Sequence, residues 1–257
     1  MDMTNGARGV LAAGMRALIS AVLLLAVVSA AGAQELSETE PGWSDQAEFS
    51  YVDTSGNTDT TTFAGRNLLT YRFATGTAWS WKVSGLHNDE NDRTSAGNYA
   101  TELRFDWHYT KKAYGYVLAG WYKDRFSGID HRYYAGLGAG YRLLDGPKHF
   151  LAAEGGFNFT REDYINGQGS DFLTGRAFSK YEYAVTEKNK FSQSLEFLYD
   201  FTDASHFRVN SETALTAALT DVFSLKAAYT VRYDNEPIPE GLEKKDAVVS
   251  MALVVNL

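Results

Sequence analysis

Glu102, Arg104, Asp106 and His108 occupy every second position of one stretch, while Tyr99, Leu103, Phe105, Trp107 and Tyr109 hold the other parity. If the stretch is extended, its side chains alternate between two faces, and four groups able to bind ions or carry protons share one of them. The corresponding parity elsewhere collects Glu48, Arg66, Arg72, Lys82, Arg142, Glu154, Arg176, Lys180, Glu182, Glu196, Arg208, Glu212, Lys226 and Arg232. Both signs are interleaved. Charges gathered in a narrow interior either neutralise one another as ion pairs or line a thin hydrated path. Mutual pairing is the expected arrangement, with room left for ions or small solutes.

Covalent catalysis needs a nucleophile beside a base. His87 has the apolar-face parity, where a lipid-facing hydrolase would carry its base. Gly85 stands where a serine of the same strand and side would be needed. His108 lies among carboxylates and reads as a hydrogen-bonded interior residue. Acidic groups cluster at Asp89, Glu90 and Asp92, at Glu162 and Asp163, and at Glu236, Glu240 and Glu243. Their oxygens suit calcium or magnesium, but the Asp-x-Asp-x-Asp-Gly spacing of a calcium loop is missing, so solvated loops are expected. The expectation is no enzyme, no cofactor and no metal.

The elements that must position these residues follow from the same periodicity. Period-two alternation recurs in twelve runs, near 43–53, 60–73, 78–87, 99–109, 113–123, 131–143, 149–160, 172–185, 190–200, 206–218, 223–233 and 247–257. One such run describes a soluble strand as well. Twelve in succession, with no long apolar run after Ala31, describe an antiparallel barrel that crosses a membrane. Connections alternate between short turns, such as 74–77, 110–112, 144–148, 186–189 and 219–222, and longer polar segments, such as 88–98, 124–130, 161–171 and 234–246. With an even strand number, that alternation places both termini on the short-turn, periplasmic side.

Aromatic rings are expected in two girdles on the lipid face. Tyr71, Trp79, Trp81, Trp107, Tyr109, Tyr114, Tyr116, Tyr141, Tyr181 and Tyr183 fall near short-turn ends, and Tyr51, Tyr122, Tyr133, Tyr199 and Tyr233 near long-loop ends. Gly136, Gly138, Gly140 and Gly156 share the inward parity, where glycine relieves crowding.

Arg8 and Arg16 precede an apolar stretch, Ala17 to Ala31, that is short for a membrane span and ends at Ala31-Gly32-Ala33. Residues 1–33 therefore read as a cleaved secretory signal, and 34–257 as one barrel domain. The mature chain loses Arg8, Arg16 and Asp2 and carries −9 against −8 for the whole. Nucleic acid is an unsuitable partner at that charge. No cysteine is present, which excludes disulfides and thiolate metal sites. Mean hydropathy of −0.30 fits a barrel, whose apolar residues are confined to alternate positions.

Two segments carry a closer likeness. The stretch Ser50 to Phe63, with its turn Ser55-Gly56-Asn57-Thr58, resembles the first hairpin of the salt-induced outer-membrane proteins, the YdiY-like family of unknown function. Gly and Asn tolerate positive φ in such a turn. Tyr233 to Leu257 resembles that family's last loop and final strand. The departure is Leu257, where barrels commonly end in Phe, although Met251, Leu253, Val255 and Leu257 still alternate.

The resemblance covers the mature chain and implies a Gram-negative outer-membrane location, contact with lipid and lipopolysaccharide, insertion by the barrel assembly machinery and a link to salt or osmotic stress. It supplies no catalytic residues. A monomeric, porin-like narrow channel is the leading functional expectation. The alternatives are a sealed structural or surface-interaction barrel and, more weakly, a lipid-facing hydrolase.

Overall fold

The computed structural model describes residues 41–54, 60–90, 93–124, 127–203, 205–238, 241 and 243–257. Residues 1–33, expected to be a secretory signal, and the expected Ser55-Gly56-Asn57-Thr58 turn lie outside them. Twelve strands run in sequence order: β1 Gly42–Thr54, β2 Thr60–Arg72, β3 Ala78–Glu90, β4 Arg93–His108, β5 Ala113–Asp124, β6 Ile129–Asp145, β7 His149–Tyr164, β8 Gly169–Ala184, β9 Asn189–Asp200, β10 Phe207–Ala218, β11 Phe223–Asp234 and β12 Lys245–Asn256. Each pairs antiparallel with its sequence neighbour, and β12 returns to β1 to close the barrel. Closure removes the free edges that an open sheet would present to lipid.

The short turns are built by a shared device. Thr110 Oγ1 accepts hydrogen bonds from the amides of Lys112 and Ala113, Thr186 Oγ1 from Lys188 and Asn189, and Thr220 Oγ1 from Val222 and Phe223. A threonine opening the turn thus satisfies two amides that the ladder has released. In the turn after β2, Gly76 takes φ of +82°, a region that side-chain-bearing residues avoid.

At the opposite end, strands climb further than the hydropathy pattern indicates. The segments 88–98 and 161–171 are largely strand: Asp89 pairs with Thr94, and Asp163 with Gly169. Hydrophobic alternation stops at the edge of the apolar band, whereas ladder hydrogen bonding needs no apolar residue, so a polar hairpin continues into water. The longest connection between the described strands is 235–244.

Outward rings gather in two zones. At the short-turn end Trp43 packs on Tyr71 and Trp79, with centroids 4.9 and 5.3 Å apart. At the loop end Phe207 packs on Phe197 and Tyr233 at 5.8 and 5.9 Å. Tyr114, Tyr116 and Tyr122 correct the girdle assignment, because all three point inward. β5 reads Tyr-Gly-Tyr-Val-Leu-Ala-Gly-Trp-Tyr, apolar on both parities, so its pattern does not separate the faces. The inward glycines explain the outcome. Tyr114 and Tyr116 lie directly opposite Gly140 and Gly138 on β6, and a Cβ on Gly138 would stand 2.5 Å from the Tyr116 hydroxyl. Tyr116 is 0% exposed.

One ladder is shorter than the rest. β1 meets β12 only from Gln46↔Asn256 to Phe49↔Leu253, extended by reciprocal backbone bonds between Asp45 and Leu257. β1 meets β2 over its full length, from Gly42↔Arg72 to Thr54↔Thr60.

Candidate functional site

Contacts between non-neighbouring strands can only cross the interior, and they connect most of the charged residues of inward parity. On the β4–β9 side, the Glu154 carboxylate of β7 accepts from Arg104 Nη2 of β4 at 2.8 Å, from Arg176 Nη1 of β8 at 2.7 Å and from the Tyr114 hydroxyl of β5 at 2.9 Å. Arg104 also forks onto Asp106, at 2.7 and 3.0 Å. Arg176 Nε donates to Glu196 at 2.7 Å, and Asn210 completes that carboxylate at 2.9 Å.

Tyr116 sits between the guanidiniums, with Arg104 stacked 4.2 Å from its ring centroid and Arg176 donating to its hydroxyl at 3.0 Å. Beside them Glu102 takes the Tyr134 hydroxyl at 2.9 Å and faces Lys82 at 3.7 Å. Desolvated charges survive only when neutralised and hydrogen-bonded, and here each has several partners.

On the opposite wall, Lys226 of β11 bridges Glu48 of β1 at 3.1 Å and Glu212 of β10 at 3.0 Å. Arg66 of β2 donates to Glu212 at 3.2 Å from both terminal nitrogens and approaches Glu48 at 3.8 Å. This tetrad carries two charges of each sign. It is wetter than the core of the Tyr116 group: the Arg66 and Glu212 side chains are 39% and 23% exposed, against 8% for Arg176 and 5% for Glu154.

Toward the loop end, fully buried Glu162 holds Arg132 at 2.5 Å, Arg208 at 2.6 Å and the Tyr164 hydroxyl at 2.8 Å. Arg208 also reaches Asp234 at 2.7 Å, beside His206, which stands 3.4 Å from Asp200. Toward the short turns, Glu182 holds Lys180 at 2.8 Å and Lys190 at 3.6 Å. Arg142 there reaches His108 at 3.0 Å and Asp145 at 3.4 Å, with Arg72 at the same end of the barrel.

Arg232 has no ion pair within 4 Å among the described residues. Arg232 lines a cavity of about 150 Å³, enclosed by β1–β4, β11 and β12. Arg66 and Glu48 contribute to the same wall. The interior is therefore filled on one side and hollow on the other.

The sequence reading missed Tyr114, Tyr116, Tyr134, Tyr164 and Asn210 as members of these networks. A signal was present: two tyrosines on β5 at the spacing of two glycines on β6 are the pattern of rings laid over bare backbone. Among the described side chains no serine stands beside His87 on the outer face. Its cross-strand partners are Phe63 and Gly97, and its Nε2 contacts Asp89 at 3.1 Å. Among the described residues no group of three His, Asp or Glu side chains is arranged to hold a metal ion.

The family described as "Protein of unknown function, DUF481" matches residues 47–257. The chain belongs to DUF481. Its similarity to "Uncharacterized protein YdiY" of Escherichia coli (strain K12) is 29% identity over 203 residues, 79% of each chain. This DUF481 barrel also superposes on the COG4313 outer membrane channel from Pseudomonas putida F1 with a TM-score of 0.55 and 12% identity, covering 90% of this chain and 100% of that one. Against the NanC porin the TM-score is 0.47 at 11% identity, with 83% and 97% covered. At 12% identity the property shared with the COG4313 channel is the fold, a closed antiparallel barrel.

Proposed function

We propose that the protein is a narrow, off-centre outer-membrane channel, exported by its signal segment, with both termini and the short turns in the periplasm. The observation that carries this reading is the half-filled interior. The Tyr116 group closes the β4–β9 side, while the cavity along β1–β3 and β11–β12 ends on the wetter Glu48–Lys226–Glu212–Arg66 tetrad. Charges that remain hydrated along one wall provide a route for ions or small solutes past a constriction of balanced charge. A role in salt or osmotic stress rests on the family resemblance, and the acidic loop end suits lipopolysaccharide bridged by divalent cations.

Single-channel conductance of the refolded barrel in a planar bilayer tests the reading. Small, steady steps are expected, enlarged when Glu212→Ala and Lys226→Ala are combined, because both truncations widen the tetrad and keep its charge balanced. Combined Arg104→Ala and Asp106→Ala, on the closed side, should change the steps less. Silence from protein whose gel mobility remains heat-modifiable would favour the second reading, a sealed envelope barrel. The complete satisfaction of Glu154, Arg176 and Glu162 argues for that alternative.

A further inference from the structure

The β1–β12 seam is zipped over only part of its height. Continuing its register would set Ser50 opposite Ala252 and Thr54 opposite Val248, yet the ladder stops at Phe49↔Leu253. Above that point, among the described residues, β1 pairs with β2 and β12 with β11, and no ladder joins β1 to β12. Val249, an outward residue of this unpaired run, is 76% exposed, and its inward neighbour Val248 is 44% exposed, so both faces of the strand are open.

Unpaired backbone is tolerated at membrane depth only where it lines a hydrated space. Such a space is present: Ser50, Val248, Ser250 and Ala252, from the two sides of the gap, all line the 150 Å³ cavity, and Arg66 and Arg232 line it as well.

We propose that this gap is a lateral portal through which a single-chain amphiphile with a carboxylate head reaches the lumen from the loop-side leaflet. Its acyl chain lies in the membrane against Phe49, Tyr51, Val249 and Met251, the outward apolar residues flanking the seam. Its head enters the cavity, where Arg232 offers two parallel donors to one carboxylate. Arg66 is already neutralised by Glu48 and Glu212. Asp246, the cross-strand partner of Arg232, lines the same wall and balances it. With the wall already neutral, a carboxylate head held by the Arg232 fork adds one excess negative charge, whereas a doubly charged phosphate would add two. The inference rests on the membrane placement above but not on conduction.

The chain has no cysteine, so pairs can be introduced without background. The reciprocal bonds at Asp45 and Leu257 make Gln46/Asn256 a non-hydrogen-bonded pair, and a continued register would make Ser50/Ala252 the same type. In phosphatidylcholine vesicles, Gln46→Cys with Asn256→Cys should oxidise readily, and Ser50→Cys with Ala252→Cys only under a strong oxidant. An octadecanoate carrying a photoreactive diazirine on its chain should label Ser50–Thr54 and Lys245–Ala252 preferentially. Labelling should fall about tenfold with Arg232→Gln, or with the acid replaced by its methyl ester. Forced closure of the Ser50/Ala252 disulfide should abolish it while heat-modifiability persists.

Equal oxidation of the two cysteine pairs, or labelling spread evenly around the barrel, would overturn the proposal. So would a disulfide-linked dimer from Ser50→Cys alone, which would assign the edge to a second copy of the chain. Because labelling does not depend on current, a silent barrel that labels at the seam would sink the channel reading and leave the portal standing.

Discussion

Glu154 is the residue on which the closed side of the interior depends. It accepts from two guanidiniums and a phenol while its own side chain is 5% exposed. Truncation to alanine removes the carboxylate that Arg104 and Arg176 share and leaves them only Asp106 and Glu196; removing one partner of a buried ion pair costs about 3–5 kcal/mol, and those remaining partners place this loss at the lower end. The expected outcome for Glu154→Ala is a urea midpoint, in lipid vesicles, lowered to match. Glu182→Ala, whose lysine partners are nearly half exposed, should cost well under half as much.

A steric counterpart exists at Gly138. Any Cβ there meets the Tyr116 hydroxyl and the Gly155 carbonyl, both at 2.5 Å. Gly138→Val should reduce folding yield sharply, and adding Tyr116→Ala should recover only part of it, since the backbone clash remains. Yield is read as the heat-modifiable fraction on a gel.

Elements were the most legible level. All twelve strands were readable because the two faces meet solvents of opposite preference, and the alternation survives every local irregularity except in β5. There Ala, Val, Leu and three tyrosines occupy both faces, and only the glycines of β6 tell which rings turn inward. Loop lengths were misjudged because hydropathy marks the membrane boundary and not the end of pairing, as Asp163↔Gly169 illustrates.

The capped turns belong to this scale too. Thr186→Ala removes an acceptor serving two amides and should cost about 1 kcal/mol, read as faster unfolding in urea. Thr186→Ser, which keeps the oxygen, should be close to neutral in the same assay.

For the whole molecule, the interior could be read from parity but its partners could not. Arg104 and Glu154 are 50 positions apart, and Arg66 and Glu212 are 146 apart. No spacing rule links such residues until closure fixes which strands face each other. Topology makes a prediction of its own: an epitope tag inserted within 235–244 should bind antibody on intact cells, while a tag placed after Leu257 should bind only after the outer membrane is permeabilised. The reverse pattern would invert the assigned orientation.

The bridge from Lys226 to Glu48 spans 178 positions, and it ties the penultimate strand to the first. Neither partner can find the other while the sheet is still an open ribbon, so the tetrad forms in the last act of assembly and in no earlier one. An incomplete ribbon holds the tetrad as two separate halves, Glu48 with Arg66 on β1–β2 and Glu212 with Lys226 on β10–β11. Uniting those halves makes the tetrad a lock that engages only when the circle is complete.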